Sequence, residues 1–190
     1  MTRVLGVIGS PRRNGNTHIL VSRFLEGALS EGAEVDTVFL GDLHIEECDG
    51  CQVCWRGKPC NKNDDMLGLY PRLIDSDIIV FGTTVYWYGP TALMKGFIDR
   101  LVYFNCPENR FGIKDKSAVI IVPFEEENPE TARLVVEFFE KSLAYLEMKL
   151  IGKIIVPGVG DKGAISEKPE RLLESYKLGQ HLADKKNPFS

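Results

Sequence analysis

No apolar stretch in this 190-residue chain approaches the roughly 18 to 20 residues needed to span a bilayer, so nothing in it reads as a membrane helix. A basic excess is also missing. Lys and Arg number 23 against 27 Asp and Glu, a net charge of −4, which is not the footprint of a nucleic-acid binder. There is no internal repeat and no low-complexity linker. The three histidines, His18, His44 and His181, are far apart, and no Ser or Asp stands with them in a hydrolytic arrangement. The opening MTRVLGVIGSPRR has a short apolar run but no cleavage-site pattern. The expected compartment is therefore the cytoplasm, where structural disulfides are uncommon.

The composition, 44% hydrophobic and 26% charged, is that of a globular domain, and the length suits one domain over residues 1–190. Short β-branched apolar runs at 3–9, 34–40, 77–83, 117–123 and 149–159 alternate with helical spacing. Helices are expected at 16–30, 66–74, 91–103, 130–146 and 167–185, with Pro71 disturbing the second. Five near-continuous apolar strands alternating with helices indicate an α/β fold with a parallel sheet covered on both faces. The doubly wound order 2-1-3-4-5 fits best. Ligands of such sheets bind at the carboxyl ends of the strands, beside the switch between strands 1 and 3.

The loop after strand 1, GSPRRNGNTH (9–18), runs into a helix N-terminus, where free N–H groups and the dipole favour an anion. Ser10, Asn14, Asn16 and Thr17 supply small polar side chains, and Arg12 and Arg13 supply charge. The Gly-Lys-[Ser/Thr] ending of a triphosphate loop is absent, and so is the G-x-G-x-x-G of a dinucleotide site. A terminal monophosphate fits better, and on this topology the usual monophosphate cofactor is FMN. A polar turn capped by Asn16 or Thr17 is the plainer alternative. After strand 3 come Thr83 and Thr84, then Tyr86, Trp87 and Tyr88 before Gly89-Pro90. Such a loop offers a flat apolar surface to a ring system, or covers a sheet edge or a subunit contact.

Four of the five cysteines, Cys48, Cys51, Cys54 and Cys60, fall in CDGCQVCWRGKPC with spacing C-x2-C-x2-C-x5-C, inside a cysteine-rich insertion at about 46–64. Zinc sites usually use two separated pairs, whereas an iron–sulfur cluster suits three evenly spaced cysteines and a more distant fourth. A reduced segment without metal also remains open. Gly57 and Pro59 would let the last interval turn back. Cys106 lies in a polar stretch and reads as a bystander.

G-S-P-R-x-x-G-N-T after strand 1, with T-x-V-Y-W and the following P-x-x-L-(M)-K-x-F-I-D-R, resembles the NADPH-dependent FMN reductase family of flavodoxin-like proteins. The resemblance implies that Ser10, Arg12, Asn14, Asn16 and Thr17 contact the FMN phosphate. It implies that Thr84, Val85, Tyr86 and Trp87 contact the ribityl chain and ring. Thr84 stands where the family often has Pro, and Met94 intrudes before Lys95. The compact cysteine run with Lys62-Asn63-Asp64-Asp65-Met66 is similar to the iron–sulfur flavoprotein subgroup, in which four such cysteines hold a [4Fe–4S] cluster that exchanges electrons with FMN. The implied partners are a ferredoxin or other one-electron carrier, or NAD(P)H, with a homodimer or homotetramer expected. A cluster-free NAD(P)H-dependent FMN or quinone reductase and a non-catalytic interaction module are the competing readings.

Overall fold

The computed structural model describes residues 1–184. Five strands, β1 (Arg3–Ile8), β2 (Glu34–Phe39), β3 (Ile78–Gly82), β4 (Ser117–Pro123) and β5 (Lys149–Val156), form one sheet in the order β2-β1-β3-β4-β5. Every pairing is parallel, as the apolar runs predict. The helices are α1 (Asn16–Ser30), α2 (Met66–Asp75), α3 (Ala92–Arg100), the single turn α4 (Pro107–Arg110), α5 (Arg133–Tyr145) and α6 (Pro169–Ala183). Among the described residues no helix is long and apolar enough to cross a membrane.

The central strands β3 and β4 are buried along their whole length, and alternation of side chains across the sheet builds two cores. Val4, Ile8, Val80 and Ile121 pack with Leu20, Phe24 and Leu25 of α1 and Leu182 of α6. Leu5, Val7, Phe81 and Ile120 pack on the other face with Leu69 of α2, Phe97 of α3 and Phe139 of α5. The outer strands β2 and β5 keep exposed positions, as their sequences require.

Several boundaries differ from the sequence expectation. The helix expected over 91–103 ends at Arg100 and continues as a tighter turn over Leu101–Asn105. Pro107 restricts Cys106 before it to extended backbone, which stops the coil there. The first turn expected for α5 is a separate tight turn, Pro129–Ala132. β1 stops at Ile8, and β5 stops at Val156 because Pro157 and the left-handed Gly158 (φ 69°) turn the chain away. α2 runs through the exposed Pro71. Cys106, expected in a polar stretch, is fully buried. The last residue of the expected C-terminal helix, Lys185, lies outside the described residues.

α1 and α6 cross at backbone contact. A Cβ on Gly27 would lie 2.0 Å from the Tyr176 carbonyl oxygen, and one on Gly179 would lie 2.0 Å from that of Phe24. The Ser175 hydroxyl donates to Leu20 O at 2.7 Å beside this crossing. Alanine normally favours a helix over glycine by about 1 kcal/mol. Here the two backbones would have to separate, so overpacking wins. Gly179→Ala should lower stability by about 1–3 kcal/mol, read as a fall in the urea midpoint at unchanged slope.

Candidate functional site

The loops after β1, β3, β4 and β5 surround a cavity of about 340 Å³, lined by Ser10, Arg12, Asn16, Thr17, Thr84, Val85, Tyr86 and Trp87, with Pro123, Glu125, Glu126, Val159 and Gly160 opposite. At its floor is the N-terminus of α1. Gly15 occupies the cap position without a side-chain hydrogen bond, and no acidic residue stands in the first turn. The orphan N–H groups of this turn thus keep their partial positive charge for an anion. Thr17 is buried, and its methyl faces the position of a Cβ on Gly82 at 3.0 Å, so β3 fixes the side chain. Arg12 donates from Nη1 to Gly160 O at 2.9 Å, which places a cation across the mouth.

The structure gives two of the expected phosphate residues other tasks. Both hydrogens of the Asn16 amide are used, donating to Val159 O at 2.8 Å and Asp161 O at 2.9 Å, while its Oδ1 accepts from Ile165 N at 3.1 Å. Asn16 therefore ties the loop after β5 to α1 and lines the cavity as a brace. Asn14 does not line the cavity. It is an exposed left-handed residue (φ 55°) whose amide donates to His18 Nδ1 at 3.0 Å. Arg13 turns away to an ion pair with Asp42 and lies over the Phe39 ring at 4.6 Å.

Threonines knit the loops together. The buried Thr91 hydroxyl donates to Gly9 O and accepts from Met94 N at 3.2 Å, capping α3, while Thr91 N donates to Thr83 Oγ1 at 3.2 Å. Thr84 Oγ1 donates to Pro123 O at 2.7 Å, joining the loop after β3 to β4. Between them Tyr86 and Gly89 pair across a two-residue turn in which Trp87 (φ 50°) and Tyr88 (φ 62°) are both left-handed. Such a turn normally takes Asn or Gly, so large aromatics here are held against a conformational cost. Trp87 is 97% exposed at the tip.

The cysteine-rich arm folds beside α3. All four cysteines line one hollow of about 50 Å³ together with Tyr70, Arg100 and Tyr103. Gln52 (φ 58°) and Gly57 (φ 69°) supply left-handed reversals, and Gly57 ends the tight turn Cys54–Arg56, as the turning-back of the last interval requires. Cys48 and Cys51 are exposed, Cys54 is buried and Cys60 is half-buried, with all five thiols free. Burial pushes the Cys54 thiol up, and the nearby Cys60, Cys48 and Cys106 add to the shift. Among the described residues no three His, Cys, Asp or Glu side chains are gathered closely enough to hold a metal ion. Four thiols are donors of the kind a thiolate-ligated group takes.

The base of the arm is locked by a buried ion pair. Arg100 and Asp64 have side chains 1% and 0% exposed. Arg100 Nη1 donates to Glu46 O at 2.8 Å and to Asp64, and Nη2 donates to Asp64 Oδ1 at 3.2 Å and Cys60 Sγ at 3.4 Å. The Asp64 carboxylate also accepts from the amides of Glu46 at 2.9 Å and Met66 at 3.1 Å. Burial works against the Asp64 charge, but these donors outweigh it and hold its pKa below the usual carboxylate value.

The loop after β4 faces the same cavity, as its place at the carboxyl end of a central strand leads one to expect, although the sequence marked no residue of its glutamate run; the fold turns Glu125 and Glu126 inward. Sequence reasoning missed Val159 and Gly160, which lie beyond β5 with no motif to mark them.

A cavity at the switch point of a 2-1-3-4-5 parallel sheet defines a flavodoxin-like α/β protein. The chain belongs to the NADPH-dependent FMN reductase family, whose model matches residues 2–156. An iron–sulfur flavoprotein of Archaeoglobus fulgidus is 34% identical over 185 residues, covering 96% of this chain and 79% of that protein. An iron–sulfur flavoprotein of Methanocaldococcus jannaschii is 35% identical over 98 residues, covering 52% of this chain and 51% of its own, so the match spans about half of that relative. The solved NAD(P)H:quinone oxidoreductase from Methanothermobacter marburgensis shares the fold, with a TM-score of 0.75 at 18% identity over 95% of this chain and 98% of that one.

The lowered pKa of Asp64 has a pH signature. Its stabilisation is fully present above about pH 5 and is lost as pH falls through the unfolded value and then the lower folded one. Urea midpoints measured from pH 6 to pH 2 (roughly that span) should fall steeply at the acid end, and Asp64→Asn should flatten that limb.

Proposed function

We propose that this chain passes electrons between FMN in the cavity at the strand ends and a [4Fe–4S] cluster held by Cys48, Cys51, Cys54 and Cys60, in exchange with a one-electron carrier such as a ferredoxin. The observation that carries the reading is the convergence of all four cysteines on one hollow beside the helix that leaves the aromatic loop. Four sulfur donors at this spacing match the donor chemistry of an iron–sulfur cluster. The names of the archaeal relatives support the same reading.

Bound FMN supplies exchange between one-electron and two-electron chemistry, and a bound cluster supplies single-electron transfer. The chain's part is binding and orientation. The cavity volume falls within the roughly 300–1,000 Å³ of small-molecule sites. The uncapped turn of α1, with the Ser10 and Thr17 hydroxyls, holds the phosphate, and Arg12 adds a positive charge at the mouth. Thr84, Val85, Tyr86 and Trp87 border the ribityl chain and ring, while Glu125 and Glu126 place negative charge on the opposite wall. The exposed thiols of Cys48 and Cys51, with the half-exposed Trp55, face a docking carrier. The aromatic tip at Trp87 supports a subunit contact in a homodimer or homotetramer, and five free thiols suit a reducing, cytoplasmic setting.

A second reading is the cluster-free NAD(P)H-dependent FMN or quinone reductase, in which the same cavity residues would hold FMN to supply hydride chemistry, with NAD(P)H as donor and a quinone or free flavin as acceptor. Although the four cysteines share one hollow, no three His, Cys, Asp or Glu side chains among the described residues stand close enough to hold a metal ion, which favours this reading.

Two measurements test the proposal. Ser10→Ala with Thr17→Ala should weaken FMN at least about ten-fold while leaving riboflavin nearly unchanged, because only FMN carries the phosphate. Equal weakening of both ligands places the phosphate elsewhere. Protein prepared without oxygen should contain about four irons and four sulfides per chain, and any one of the four Cys→Ala changes should remove them while FMN stays bound. Anaerobic, iron-supplied protein with flavin and no iron decides for the second reading.

A further inference from the structure

Arg100 is among the largest fully buried side chains of the described residues, and its position is not explained by anchoring alone. A guanidinium taken out of water is costly unless its charge and its N–H groups are matched. Asp64 matches the charge, and Glu46 O takes a further hydrogen bond. Those contacts already secure the two ends of the cysteine arm, Glu46 before it and Asp64 after it. Yet Nη2 is also placed 3.4 Å from Cys60 Sγ, and Arg100 forms part of the wall of the hollow that the four cysteines share. The Tyr70 hydroxyl donates to the Arg100 carbonyl at 3.2 Å, fixing the backbone from which the side chain reaches.

We propose that Arg100 is a positioning residue that fixes the Cys60 sulfur by an N–H···S hydrogen bond and raises the reduction potential of the group bound by the cysteines. The proposal rests on the cluster reading above. A hydrogen bond to a ligand sulfur withdraws electron density, and a nearby cation favours the state with one more electron; both move the potential upward. Asp64 opposes the second effect, because its charge cancels that of Arg100 at short range. The pair therefore leaves a residual field that depends on both members. Removing the cation leaves a net negative charge at the hollow, and removing the anion leaves a net positive one. The two changes must shift the potential in opposite directions. A purely structural anchor predicts no such sign reversal.

The test uses anaerobically prepared, iron-loaded wild type, Arg100→Gln, Arg100→Lys and Asp64→Asn. Each is analysed for iron and FMN and then titrated with dithionite in the presence of mediator dyes, following the cluster by its absorbance and electron paramagnetic resonance. Arg100→Gln should lower the potential by at least a ten-fold change in the one-electron equilibrium, about 59 mV, and Asp64→Asn should raise it. Arg100→Lys keeps the charge, but one ammonium cannot reach the Asp64 carboxylate and the Cys60 sulfur in the same planar fork, so its potential should lie between wild type and Arg100→Gln. Should Arg100→Gln not fold, the order Arg100→Lys below wild type below Asp64→Asn decides. Iron-loaded variants whose potentials match wild type, or all shift in the same direction, overturn the proposal while leaving the cluster in place. A wild type that binds FMN but no iron overturns the cluster reading itself, and this inference with it.

Discussion

One buried hydroxyl joins the parts on which the site depends. Thr91 donates to the carbonyl at the end of β1, accepts from the first turn of α3, and through its own amide meets Thr83 at the end of β3. A parallel sheet buried on both faces leaves little freedom to its strands, but the loops at their carboxyl ends have no ladder to hold them. Thr91 replaces the missing ladder with side-chain hydrogen bonds inside a low-dielectric region, where leaving any one group unpaired costs more than the bond itself contributes. Because the same residue caps α3, it also sets where Arg100 emerges at the far end of that helix, about two and a half turns along.

The two halves of the site use different electrostatics. Around α1 the attraction comes from backbone N–H groups, with the full charge of Arg12 held at the rim and bonded to a carbonyl. That arrangement suits a dianionic group that must enter from water, because the dipoles are fixed beforehand and need no partner of their own. The cysteine arm uses whole charges out of reach of solvent. A buried pair of this kind adds little net stability compared with apolar packing, but it is exacting about geometry, and losing one member is severe. It therefore suits the closing of an arm that is otherwise mostly exposed, with few apolar side chains to hold it. The surface pairs of Lys62 with Glu46 and Asp49 across the same arm are weaker fasteners of the same kind.

Much of the fold was legible because burial on both faces makes a strand read as an unbroken apolar run; β3 and β4 illustrate this. Strand order followed from the right-handedness of crossovers, and the cavity from the switch-point rule. Eight of the nine residues named from the two loops line the cavity, where helix start and strand end put them. Asn14 and Asn16 show the limit. Both are small polar residues in a phosphate-loop pattern, but one is used for a left-handed turn and the other to hold a loop from the far end of the chain. A sequence window cannot reveal a partner such as Val159. The same holds for Cys106, whose polar neighbours in sequence hide its burial, and for Arg100, which reads as the end of an amphipathic helix until Asp64 is folded onto it.

The glycine crossing of α1 and α6 bears on the fate of the chain in a cell. Because the two helix backbones touch at Gly27 and Gly179, α1 cannot loosen without detaching the C-terminal helix from the rest of the domain. A ligand gripping the start of α1 therefore opposes opening of the molecule as a whole, by about 2.7 kcal/mol when its concentration is a hundred times its dissociation constant. Quality-control proteases sample the opened population, so turnover would fall on the empty chain and spare the loaded one. The supply of cofactor would then set how much of this protein persists as well as how much of it is active.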